Sequence, residues 1–187
     1  MSKLLASLLL ATGITTAWAA DSFVLDPGHT FPSFEIRHQG VSLMRGKFNR
    51  SQGRVVLDPS GPGSRVEATV DAGSVDTGHD GLNQKLLGSA FFNIAQFPEI
   101  RFVSSEVQFR DGKPIAASGN LTLLGVTRPV TLEIRDYACT RQFLTLRPLC
   151  GADVHGVIKR SDFGMDYGIP LIGDEVKLAI EVEGFRE

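Results

Sequence analysis

Four histidines (His29, His38, His79 and His155) and two cysteines (Cys139 and Cys150) are the side chains of this sequence best suited to metal binding, proton transfer or redox work. His29 follows Asp26 by three residues, a spacing that serves either a structural turn or a contact at the mouth of a site. His29 and His38 lie an odd number of residues apart, so on one regular strand they would face opposite sides, and they do not form a metal-ligand spacing. His38 reads either as a contact for a ligand's polar end or as a core histidine hydrogen-bonded to a neighbour. His155 has outward parity and is expected in solvent. His79 and Asp80 could act as an acid/base pair, although a helix start or cap explains them as well. Arg160, Asp162 and Asp166 fit a headgroup contact or a surface network. No G-x-S-x-G precedes a helix and no glycine-rich phosphate loop is present, so the chain is read as a non-enzyme without a metal site.

The cysteines have no Cys-x-x-Cys spacing, and a structural zinc would need four ligands. The N-terminus sets their compartment. Lys3 gives a positive start, Leu4 to Ile14 form a mostly apolar run, and Ala17-Trp18-Ala19 is a small-x-small cleavage site. Residues 1–19 are therefore predicted to be a cleaved secretory signal peptide, leaving one domain over 20–187. The apolar run is shorter than the ~20 residues a membrane span requires. Export favours a Cys139–Cys150 disulfide, and a loop of that length would contribute about 3 kcal/mol. Loss of Lys3 leaves 18 basic against 21 acidic side chains, a balance without the basic footprint of a nucleic-acid binder.

Period-2 alternation dominates the elements that must position these residues. Leu121 and Leu123 alternate with Asn120 and Thr122, and Val130, Leu132 and Ile134 with Thr131 and Glu133. Gly125 and Pro129 lie in the connection, so the two arms form a hairpin with one oily face. Extended segments are also expected over 22–26, 30–38, 46–58, 66–75, 100–109, 154–159 and 175–183. A ragged hairpin or loop is expected over 137–150. Only Leu82, Leu86 and Leu87 depart from the pattern, marking a short helix near residues 79–88 that ends at Gly88.

One-sided strands with almost no helix to cover them must face their apolar sides toward each other, in a closed antiparallel barrel or a two-sheet sandwich. The barrel of about eight strands is preferred because it leaves no open edge. Its inward positions would be Phe34, Ile36, Phe48, Val70, Phe102, Leu121, Leu123, Leu132, Ile158, Leu178 and Ile180. Small residues at Ala68, Gly119 and Gly156 would leave space along the axis, unless phenylalanines from across the barrel fill it. A hollow interior with such a wall suits an elongated apolar guest, since burying apolar area yields ~25 cal/mol per Å² without directional demand.

Several separated motifs resemble one family. Asp26, His29, Thr30, Phe34, Ile36 and His38 match a D-x-x-H-[ST] and F-x-[IV]-x-H opening, and Gly46 with Phe48 a G-x-F. Phe91-Phe92, Phe97-Pro98, Ile100, Phe102 and Ser104 match FF…YP-x-I-x-F-x-S. Gly119, Leu121, Thr122, Gly125, Thr127, Pro129 and Val130 match G-x-LT-x-x-G-x-T-x-PV, and Arg160, Ser161, Phe163, Gly164 and Met165 match R-S-x-FGM. Asn93 and Phe97 depart from the usual aspartate and tyrosine. Over about 22–185 the chain is similar to the YceI-like polyisoprenoid-binding proteins exported by Gram-negative bacteria. That resemblance implies an all-β, lipocalin-like antiparallel barrel whose tunnel holds a polyprenyl chain, such as that of ubiquinone or a prenyl phosphate. It adds Phe91, Phe92, Phe163, Met165 and His38 to the expected ligand wall.

Two functions from different classes follow. One is a periplasmic binding protein, a monomer or homodimer, that carries or stores an isoprenoid lipid without a further cofactor and loads it by transient membrane contact. The alternative is an enzyme acting on such a lipid, or on a small substrate at the barrel mouth. A filled barrel that binds through its surface is the third possibility.

Overall fold

Alternating side chains need a sheet that buries one face throughout, and closure of that sheet on itself is the solution here. The structure, a computed structural model, describes residues 20–187; the predicted signal segment 1–19 lies outside them. The elements are β1 (Asp21–Leu25), β2 (Phe31–His38), β3 (Ser42–Phe48), β4 (Ser51–Leu57), β5 (Arg65–Asp71), β6 (Val75–Asp76), α1 (Asp80–Leu87), β7 (Glu99–Arg110), β8 (Lys113–Leu123), β9 (Val126–Arg141), β10 (Pro148–Lys159) and β11 (Ile172–Arg186).

These strands make eight staves, every neighbouring pair antiparallel. β1 and β2 both run beside β11, with Leu25 opposite Gly184 and Phe31 opposite Glu181, so together they form one interrupted stave. β3 pairs with β2 and β4 with β1, giving a second interrupted stave. β5 and β6 supply the third, and β7 to β11 follow in chain order as the remaining five. The β1–β11 pairing closes the ring. The expected eight-strand antiparallel barrel with one short helix is the observed fold. A closed barrel leaves no exposed edge to manage.

The interruptions have local causes. Between β1 and β2, the Gly28 amide donates to Asp26 Oδ1 at 2.9 Å, and Thr30 Oγ1 bonds the Glu183 backbone across the gap. The buried Ser51 hydroxyl donates to the Thr30 carbonyl at 2.7 Å. The segment 46–58, expected as one strand, breaks at Asn49-Arg50, where the Arg50 amide turns to Ser74 Oγ at 3.0 Å. Likewise 66–75 is not continuous: Ala72–Ser74 is a 3-10 turn, with the Gly73 amide held by Asp71 Oδ1.

The β8–β9 hairpin is tighter than the spacing of Gly125 and Pro129 implied. Its turn is only Leu124-Gly125, with φ of 52° and 73°, the two left-handed positions that suit a two-residue hairpin. Val126 to Pro129 already belong to β9. Pro129 sits opposite Asn120, and alternation from the turn directs its ring nitrogen away from β8. On that side β9 is not yet paired, because its ladder with β10 begins at Glu133 opposite His155. A missing N–H costs nothing there. The 137–150 region is more regular than expected: strand pairing persists to Arg141 opposite Pro148. Cys139 and Cys150 stand directly opposite and form the predicted disulfide.

Candidate functional site

The barrel is hollow. A cavity of about 390 Å³ runs from Leu82, Lys85 and Leu86 of α1 at one end to Tyr137, Cys150 and Gly151 beside the disulfide at the other. No Asp, Glu, Asn or Gln contributes to its wall among the described residues; the polar contributors are His38, Arg45, Lys85, Arg160, Tyr137 and a few hydroxyls. Such an interior offers dispersion and water exclusion to a guest, with few groups to orient a compact polar one.

Every residue expected on the ligand wall borders this space except Phe163. Phe163 is instead sealed into a cluster with Phe48, Phe91, Phe92 and Met165, and is only 2% exposed. It lies in a 3-10 turn (Arg160–Phe163) outside the alternating strands, so the motif that includes it says nothing about which way its ring points. Rings gather near α1, where Phe48 meets Phe92 edge-on at 5.4 Å and Phe34 at 5.9 Å. They pack that end without plugging the axis.

Two of the three small residues expected to open the axis work differently. A Cβ on Gly119 would stand 2.3 Å from the Val103 carbonyl oxygen and 2.9 Å from the Phe102 ring. One on Gly156 would meet Leu132 Cδ2 at 2.7 Å. These glycines admit neighbours instead of leaving a void; Ala68 does border the cavity.

Tyr137 is the informative addition. Inward parity through Leu132 and Ile134 predicts Asp136 inside and Tyr137 outside. Between Arg135 and Ala138 the β9–β10 register shifts by one residue, and Asp136 adopts φ of 51°. This β-bulge reverses the facing, so the carboxylate leaves the interior and the phenol enters it. Burial pushes the Tyr137 phenol pKa upward. The clue in the sequence was a charged residue falling on an otherwise apolar face. Leu82 and Leu86 were legible as a helix face, but which space they cover was not.

The ionisable candidates resolve into structural roles. His79 is the N-cap of α1, its Nδ1 accepting from the Leu82 amide at 3.1 Å, while Asp80 is an exposed first-turn residue. The helix therefore uses the His79 ring, and no acid/base pair with Asp80 is assembled. His38 is half-buried at the cavity wall, and no side-chain hydrogen bond to it occurs among the described residues, so it is not a core histidine satisfied by a neighbour. Arg160, 2% exposed, donates Nε to the Gly173 carbonyl, Nη1 to Met165 and Nη2 to Ile172 at 2.7–2.9 Å. Asp174 receives both the Ser161 amide and hydroxyl, which hold its pKa below the usual carboxylate value. The Arg-Ser pair is thus a clasp that folds 160–174 over the barrel end.

Asp26, His29 and Glu183 bring one potential ligand atom each within 4.8 Å, a trio that strand parity could not reveal because Glu183 comes from the final stave. His29 Nδ1 lies 2.8 Å from Asp26 Oδ2. That hydrogen bond, followed by the one from Gly28, lowers the Asp26 pKa; Asp26 in turn raises that of His29. The turn between β1 and β2 accounts for Asp26 and His29.

A closed up-and-down barrel around an apolar cavity is the architecture of the lipocalin-like binding proteins. The model of the YceI-like domain matches residues 23–184. Protein YceI of Salmonella arizonae is 35% identical over 98% of this chain and 95% of its own length, as is protein YceI of Salmonella dublin. The chain belongs to the YceI-like family. Among solved structures, a Campylobacter jejuni YceI protein is 26% identical with a TM-score of 0.66, covering 81% of this chain and 90% of that one. A polyisoprenoid binding domain from Saccharophagus degradans shares the fold at 19% identity, with a TM-score of 0.65 over 88% of this chain and 98% of that one.

Proposed function

We propose that this chain is a periplasmic carrier or store of an isoprenoid lipid, exported by a cleaved signal peptide. It acts by sequestration instead of turnover, and needs no cofactor beyond the bound lipid. The observation that carries this reading is the long cavity whose wall lacks any carboxylate or amide side chain among the described residues. A polyprenyl tail, flexible and apolar along its length, gains from every methylene removed from water and asks for no fixed polar partner. The polar end, a quinone ring or a prenyl phosphate, would emerge where His38, Lys85 or Tyr137 supplies a donor. The Saccharophagus domain, described as polyisoprenoid-binding, supports the same use of this fold.

The test is solvent extraction of protein purified from a quinone-producing host, followed by mass spectrometry. About one prenyl lipid per chain is expected, released chemically unchanged. Leu121→Arg, which places a charge against the cavity wall, should retain the barrel's circular dichroism and lose the lipid. Wild-type protein that carries no prenyl lipid, or an equally loaded arginine variant, would overturn the reading.

A further inference from the structure

The tip of the β9–β10 hairpin gathers the two most exposed large apolar side chains of segment 137–153 with a third beside them. Phe143 is 91% exposed, Leu144 85% and Leu146 64%, all within the six-residue loop 142–147. A lone exposed leucine is ordinary, but three large apolar side chains on one projecting loop are not. The loop is also ordered. Gln142 donates its amide to the Arg147 carbonyl at 2.9 Å and Leu146 its amide to the Gln142 carbonyl at 2.8 Å. The Thr145 hydroxyl donates to the Gln142 side chain, and Arg141 Nη1 to the Leu146 carbonyl at 3.1 Å. The Cys139–Cys150 disulfide ties the two strands just below.

Charge selects the surface this tip would meet. Arg141 and Arg147 flank the apolar residues, and no carboxylate occurs between Asp136 and Asp153. Neither arginine has a salt-bridge partner among the described residues; Arg147 lies over the Phe185 ring at 4.4 Å. An apolar tip with cations at its base has the chemistry of an interfacial anchor: rings and leucines among acyl chains, guanidinium groups at lipid phosphates. The opposite end also exposes Val41, Tyr167, Ile169 and Leu171. There Asp166 lies in the same segment, and Tyr167 is engaged by Phe91 and Lys85. The cavity, moreover, reaches the disulfide hairpin at Tyr137 and Cys150.

We infer that the 142–147 loop is a membrane-contact finger, which seats the disulfide end of the barrel on an anionic phospholipid bilayer. The lipid-carrier reading supplies its purpose. Its test is separate, because vesicle contact is measured whether or not prenyl lipid co-purifies.

The protein is sedimented with phosphatidylglycerol/phosphatidylethanolamine vesicles and with phosphatidylcholine vesicles. Wild type should partition to the anionic vesicles. The combined Phe143→Ser, Leu144→Ser and Leu146→Ser variant should lose about tenfold or more in partition coefficient, with an unchanged thermal transition. Arg141→Gln with Arg147→Gln should lose the preference for anionic lipid. A positional check uses Phe143→Trp in the chain 20–187, which lacks Trp18, so the reporter is the sole tryptophan; bromolipids should quench it. Wild type that ignores anionic vesicles would overturn the inference, as would a serine variant that binds as wild type does and so places any contact elsewhere. A reporter indole that stays unquenched while the protein is bound to bromolipid vesicles would overturn it too.

Discussion

At the scale of single residues, the fold depends on a few polar groups whose alternatives are worse. Arg160 satisfies three backbone carbonyls from inside the structure, and removal leaves those acceptors without donors. Arg160→Leu should therefore destabilise the protein by about 3 kcal/mol or more, read as a lowered urea midpoint. The Asp26–His29 pair gives a pH signature. Asp26 has a lowered folded pKa, so its contribution is complete above the ordinary 3.8 and fades as pH falls through the lower folded value. His29 has a raised folded pKa, so its contribution is complete below the ordinary 6.5 and fades as pH rises through the higher folded value. Thermal unfolding of wild type against Asp26→Asn should differ most between those two ordinary values, and the gap should narrow on either side. A constant gap from about pH 3 to about pH 9 would mean that the turn depends on the Asp26 side chain's shape instead of this ion pair.

At the scale of elements, alternation read directly from the chain located the arms of every stave, because a half-buried strand imposes period 2 on its own residues. Interruptions were harder to see. The break at Asn49-Arg50 and the turn at Ala72–Ser74 are decided by Ser74, whose hydroxyl and carbonyl serve residues far away in sequence. Facing was lost wherever a bulge intervened: Tyr137 enters the cavity through a one-residue shift at Asp136 that local alternation cannot contain. Glycines are ambiguous for a related reason, since an absent side chain gives no hint whether space stays empty or a neighbour fills it. Gly119→Ala tests this. Its Cβ would press on backbone at Val103 and Ser104, so a loss of about 1–3 kcal/mol is expected in chemical denaturation. A neutral outcome would show that β7 and β8 can separate at little cost.

At the scale of the molecule, strand alternation made the barrel and most of its cavity wall legible, and the family motifs added Phe91, Phe92 and Met165, which lie off the strands where parity has no say. The exposed tip at Phe143 and the clasp at Arg160 were not legible, since neither follows a periodic pattern. Replacing both cysteines with serine should lower stability by about 3 kcal/mol through loop entropy, with the rest of the barrel intact. A thermal transition that moves by only a degree or two would assign the crosslink a local role. The hollow interior has one more implication. A folded chain ordinarily completes its own core, whereas this one leaves a column of wall without matching atoms. The lipid of the proposed function would in effect be a removable structural segment, and its binding would add stability by mass action. If the chain carries a lipid as proposed, handing it over would turn the protein into a looser one, so release should be fastest where another oily phase is already touching the barrel, and slow in open water.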